Sequence, residues 1–157
     1  MPPPPRPPPA APPVPVGDDV HELLRETFLA LKRRQRVVLR SQELSHTEWI
    51  ALHLCSQGPA RGQEIAEMGD LTPAGATDVV DRLEGRGLVR RARDPDDRRA
   101  MRVELTDDGR RLHAETRRRV VALWGEMTGS LAPGEYRALS EGLRALLRAE
   151  RAHPEPA

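Results

Sequence analysis

Residues 71–109 read "LTPAGATDVVDRLEGRGLVRRARDPDDRRAMRVELTDDG", and the hydrophobic period changes partway along them. Thr72 and Pro73 form a helix start: a hydroxyl that accepts a backbone N–H, then a residue whose missing N–H costs nothing at the first helical position. Ala76, Val79, Val80 and Leu83 follow at i, i+3, i+4 and i+7, which predicts one buried stripe, and Gly85 and Gly87 end the helix. The period then shortens from 3.6 to 2. Met101, Val103 and Leu105 alternate with Arg102 and Glu104, "LVRRA" at 88–92 is the partner strand, and "RDPDDRR" at 93–99 is a turn-rich connection. This predicts a two-stranded hairpin with a charged tip. Thr106, with Asp107 and Asp108 behind it, caps another helix that runs to about Thr128.

Upstream, a helix is expected from about Asp18 to Gln42, acidic at its start and basic in its second half, as the helix dipole favours. A second follows Ser45, which with Glu48 makes a capping-box pattern; Thr47 is a competing cap, and Gly58-Pro59 closes the helix. A short third helix turns Ile65, Ala66 and Met68 inward and stops at Gly69. Downstream, Pro133 opens a last helix with Leu139, Leu143 and Leu146 at helical spacing. The order predicts a mainly α fold with a small two-stranded β-wing, a winged helix-turn-helix flanked by N- and C-terminal helices. The apolar stripes of those outer helices exceed what so small a core covers, and a partner subunit is the expected cover.

Ten of the first 16 residues are proline, so 1–16 is expected to be a disordered leader, and 151–157 a disordered tail. The leader lacks the basic start, apolar run and cleavage site of a signal peptide, and no stretch has the roughly 18 apolar residues of a membrane span. A cytoplasmic protein is expected. The net charge of the 157 residues is only +1, so any nucleic-acid binding must come from local charge. Residues 90–102 supply it, with six arginines against three aspartates.

With these residues placed, the sequence resembles the MarR family of bacterial transcriptional regulators over about residues 18–150. "LTPAGATDVVDRLEGRGLVRR" is similar to the family's recognition helix and first wing strand. Asp97, Arg99, Leu105, Thr106 and Gly109 match its D-x-R and L-T-x-x-G elements. The resemblance implies a domain at 17–150, with a winged helix at about 45–106 and dimerisation helices at about 18–42 and 107–150. It also implies a homodimer on a palindromic operator in double-stranded DNA, often relieved by a small-molecule effector; a repressor is the expected form. One departure stands out: Asp78, in the first exposed turn of the recognition helix, and Asp81 after it are acids that repel phosphates, although an acid accepts from cytosine N4.

Under this reading Thr72, Pro73, Thr77 and Arg82 are the recognition-helix contacts. Thr77 suits a base edge or thymine methyl and Arg82 a phosphate, with an Arg82–Asp78 pair at i−4 as the plainer role of that arginine. Arg98 or Arg99 enters the minor groove, whose negative potential attracts arginine. Asp97 orients Arg99, and Asp94 holds the turn. Arg61 and Gln63 begin the third helix and reach phosphate or simply cap it. Trp49 lines an effector pocket or packs in the core. Cys55 is read as a buried inert thiol; oxidant-sensing relatives place their cysteine near the first helix, where Cys55 is not. The acids at 94–97 do not follow a calcium-loop pattern, and His21, His46, His53 and His113 are scattered, so neither a metal nor any cofactor is expected. No nucleophile–base motif, phosphate loop or dinucleotide fingerprint is present, so no catalytic residue is assigned. The alternative function is a winged-helix protein-interaction module without DNA binding, favoured by Asp78, Asp81 and the low net charge.

Overall fold

The computed structural model describes residues 18–94 and 100–152. In chain order the elements are α1 (Asp18–Ser41), α2 (His46–Gln57), β1 (Ala60–Arg61), α3 (Gly62–Gly69), α4 (Pro73–Gly85), β2 (Val89–Arg93), β3 (Met101–Leu105), α5 (Asp107–Thr128) and α6 (Pro133–Ala152). The fold is mainly helical with a small antiparallel wing. It divides into two units between Arg33 and Arg34, within α1.

In the first unit the helix carries exposed Val20, Leu23, Leu24, Phe28 and Leu29. Arg25 Nε donates to Glu22 at 2.8 Å, and Lys32 Nζ lies 5.2 Å from the Phe28 ring centroid.

The second unit holds the core, where Leu52 of α2, Ile65 of α3, Val79 and Leu83 of α4 and Val89 of β2 are fully buried. Local chemistry sets the helix starts. Ser45 rather than Thr47 caps α2: its Oγ accepts from Glu48 N at 3.1 Å, and Glu48 Oε2 accepts from Ser45 N at 2.8 Å. Thr72 Oγ1 accepts from Gly75 N at 3.1 Å, and Thr106 Oγ1 from Gly109 N at 3.0 Å. The α4 stripe buries Ala76, Val79, Val80 and Leu83 as its spacing predicts. Beyond it Gly87 takes φ 69°, with Gly87 N donating to Glu84 O and Leu88 N to Leu83 O. That left-handed turn suits a residue without Cβ and aims the chain into β2.

Three expectations are corrected. The wing sheet is three-stranded, in the order β1-β3-β2, because Ala60 and Arg61 pair antiparallel with Val103 and Arg102 and so occupy the outer edge of β3. Met68 is 60% exposed, since the inward face of α3 is complete with Ile65 and Ala66. Gly69 remains helical, and it is Asp70 that adopts the left-handed stop, φ 50° and ψ 52°.

The last helix buries none of its side chains. Tyr136, Leu139, Leu143, Leu146 and Leu147 all lie open. Among the described residues no helix is long and apolar enough to cross a membrane.

Candidate nucleic-acid interface

The α4 face opposite its buried stripe is exposed, with Thr72, Pro73, Thr77 and Asp78 at its start. Pro73 and Thr77 share a groove of about 650 Å³ with Gln63 of α3, so three expected contacts come together. The Thr72 hydroxyl serves the helix as its cap. Thr77 Oγ1 donates to Pro73 O at 3.0 Å, which commits its proton to the backbone and leaves its methyl and lone pairs for a ligand. Gln63 Nε2 donates to Glu67 at 3.0 Å.

The charges of α4 are organised from outside the helix. Arg82 does not pair with Asp78; its Nε donates to Glu48 Oε1 of α2 at 3.3 Å. Glu48 therefore serves two helices at once, with Oε2 on the α2 cap and Oε1 on α4. Burial alone raises its pKa, but the Ser45 amide and hydroxyl and the Arg82 guanidinium outweigh that and hold the carboxyl below its ordinary value. Arg91 of β2 reaches back to two α4 acids: Nη2 donates to Asp81 at 2.5 Å, Nη1 donates to Glu84, and its backbone N–H donates to Glu84 Oε1 at 3.1 Å. Arg86 Nη1 donates to Glu43 O at 2.7 Å and so docks the end of α4 on the α1–α2 turn.

The wing is rooted on one carboxylate. Asp94 is fully buried, and its Oδ2 accepts from Arg102 Nε at 2.6 Å and from Arg61 Nη2 at 2.9 Å. Its backbone N–H donates to Ala100 O at 3.0 Å and so joins the residues that follow β2 and precede β3. Arg61, expected at phosphate, is thus also a wing-root residue, with half of its side chain still exposed. Asp97, Arg98 and Arg99 lie outside the described residues.

Trp49 is buried in the core, its ring centroid 5.1 Å from that of His113 and 5.8 Å from that of His53. The two histidines, scattered in sequence, meet with His53 Nδ1 3.2 Å from His113 Nε2. Burial first, then the His53 and Arg117 charges, lower the His113 pKa and favour its neutral form. His113 lines a cleft of about 580 Å³ with Cys55, Leu105 and Arg110. Burial pushes the Cys55 thiol up to about 11, which keeps the unreactive protonated form. Among the described residues no group of three or more His, Cys, Asp or Glu is arranged to hold a metal.

Sequence reasoning missed the Glu48–Arg82, Arg91–Asp81/Glu84 and His53–His113 pairings. Each joins different elements, beyond the reach of any i, i+4 pattern. For Glu48 the capping box was a signal, but for only one of its two oxygens.

Comparison with known proteins fits this geometry. A profile of the MarR family matches residues 44–101. The HTH-type transcriptional regulator YpoP of Bacillus subtilis (strain 168) is 30% identical over 95 residues, 60% of this chain and 67% of that protein. A MarR family protein from Bacillus stearothermophilus superposes with TM-score 0.76 at 27% identity, covering 85% of this chain and 94% of that one. CouR from Rhodococcus jostii RHA1, whose structure holds p-coumaroyl-CoA, gives TM-score 0.74 at 27% identity, covering 89% of this chain and 96% of its own.

Proposed function

This chain belongs to the MarR family of DNA-binding winged-helix transcriptional regulators, and on that premise we propose that it is a ligand-responsive repressor acting as a homodimer on a palindromic operator. The observation that carries this reading is the open face of α4, beside a wing rooted at Asp94. Each half-site receives α4 in its major groove through Thr72, Pro73, Thr77 and Arg82, and the wing arginines Arg98 and Arg99 in the flanking minor groove. Asp94 and Asp97 support the wing, and Arg61 and Gln63 lie toward phosphate. Residues 17–150 act as one regulatory domain without catalytic activity. Of the two roles considered for Trp49, core packing fits its burial, so the effector site moves to the neighbouring cleft at His113. The ligand held by CouR supports an effector role for this chain.

The test is a titration of the full-length protein with the DNA upstream of its own gene across a salt series. Nanomolar binding that weakens linearly in log affinity against log salt is expected, through counterion release. A protein-interaction module instead gives no salt-dependent DNA binding. Arg91 weakens that alternative, because it neutralises Asp81, one of the acids on which it rests.

The apolar face of α6 supports the homodimer. In a two-fold interface each substitution acts twice. Leu143→Glu is expected to raise the dimer dissociation constant at least about tenfold, since a buried leucine is worth about 1.5–3 kcal/mol. Sedimentation equilibrium would show this, and an unshifted dimer would remove α6 from the interface.

A further inference from the structure

Helix α4 carries three carboxylates, Asp78, Asp81 and Glu84, and two of them are matched by Arg91. The helix's own arginine, Arg82, sits at i+4 from Asp78, where it would cancel that charge, yet it is engaged by Glu48. Asp78 is left exposed next to Thr77, on the face away from Ala76, Val79 and Val80, and it has no ion pair among the described residues. An uncompensated carboxylate on a helix that approaches phosphates weakens binding to every duplex alike. A donor on a base edge offsets that cost, and it does so for one sequence and not another. In the major groove guanine presents two acceptors, thymine an acceptor and a methyl, and adenine a donor beside an acceptor; cytosine presents the N4 donor alone.

We propose that Asp78 is a specificity-determining residue, accepting a hydrogen bond from cytosine N4 in each half-site and disfavouring guanine and thymine there. This rests on the DNA-binding reading above. Asp78 is exposed and caps nothing, so its replacement leaves the fold intact.

The full-length protein and its Asp78→Ala and Asp78→Asn variants are each put through selection from a random duplex library. They are then titrated against the selected site and its single-base-pair variants at fixed salt. The unmodified protein is expected to lose about 5- to 150-fold when the contacted cytosine is replaced. Asp78→Ala loses that discrimination and binds unrelated DNA more tightly, while Asp78→Asn moves the preference toward adenine, which an amide reads with both its groups. Selected sites with no cytosine preference, or one that Asp78→Ala leaves intact, overturn the assignment while DNA binding stands. If the unmodified protein binds no duplex in a salt-dependent way, the DNA-binding reading falls, and this inference with it.

Discussion

Gly109→Ala is expected to cost about 3 kcal/mol of folding stability, the upper end of the range usual for overpacking that the surroundings cannot relax. A Cβ at this position would lie 1.9 Å from Leu88 O and 2.9 Å from Leu88 C. Both are backbone atoms, and they are held: Thr106 N donates to that same oxygen at 3.1 Å, and the Thr106 hydroxyl donates to Gly87 O at 2.6 Å. Leu88 cannot swing away, because it follows the left-handed turn at Gly87 and leads directly into β2. The first turn of α5 must therefore lift off the wing strand. This gives the L-T-x-x-G element a physical meaning: the threonine caps α5 and grips the chain before β2, and the glycine lets the helix sit against that chain. Urea denaturation followed by circular dichroism, at matched protein concentration, measures the effect. An unfolding free energy within about 0.5 kcal/mol of the unmodified protein would contradict the packing described.

The second large effect is expected from Asp94→Ala, at about 2–3 kcal/mol. Breaking a fully buried ion pair by removing one partner costs about 3–5 kcal/mol. The figure is smaller here because the Arg61 and Arg102 side chains are 50% and 25% exposed, so water compensates part of the loss. Asp94→Asn keeps one acceptor but not the charge and should fall between the two proteins. The same variants separate stability from binding. At a temperature where both remain folded, Asp94→Ala should still bind operator DNA more weakly, because the strand entering the tip has lost its anchor. Unchanged DNA affinity would mean that the wing contributes nothing to the grip.

Much of this fold was legible because its signals are local. Ser45, Thr72 and Thr106 announce helix starts through side-chain oxygens three residues from the amides they serve. Gly87 announces a turn that residues with a Cβ resist, and the alternation from Met101 to Leu105 announces the wing. The starts of α1, α5 and α6 follow from the acids at Asp18 and Asp19, the Thr106 cap and Pro133, while α6 runs two residues past the expected end, to Ala152. What stayed hidden depends on distant partners. Strand β1 is two residues long and exists only because β3 offers an edge. Met68 has the spacing of a core residue, but the depth of the core is set by α2 and α4 packing on the other side. For the interface, the sequence singled out Thr72, Pro73, Thr77, Gln63 and Arg61, and the structure gathers the first four around the start of α4 and sends Arg61 to Asp94. It could not reveal that Arg82 answers to Glu48, 34 residues away, or that Arg91 answers to Asp81 and Glu84. These contacts arise from tertiary approach and leave no periodicity behind.

Helix α4 is fastened on three sides: by Glu48 to α2, by Arg86 to the α1–α2 turn and by Arg91 to the first wing strand. These contacts, together with the buried stripe beneath them, set the offset between α4 and the root of the wing from within the protein. Such a module works as a caliper. On the proposed mode of binding it would favour duplexes whose groove-to-groove stagger already matches that offset, and others would bear the cost of deformation. Sequences would then be sorted partly by their stiffness at base pairs no side chain touches.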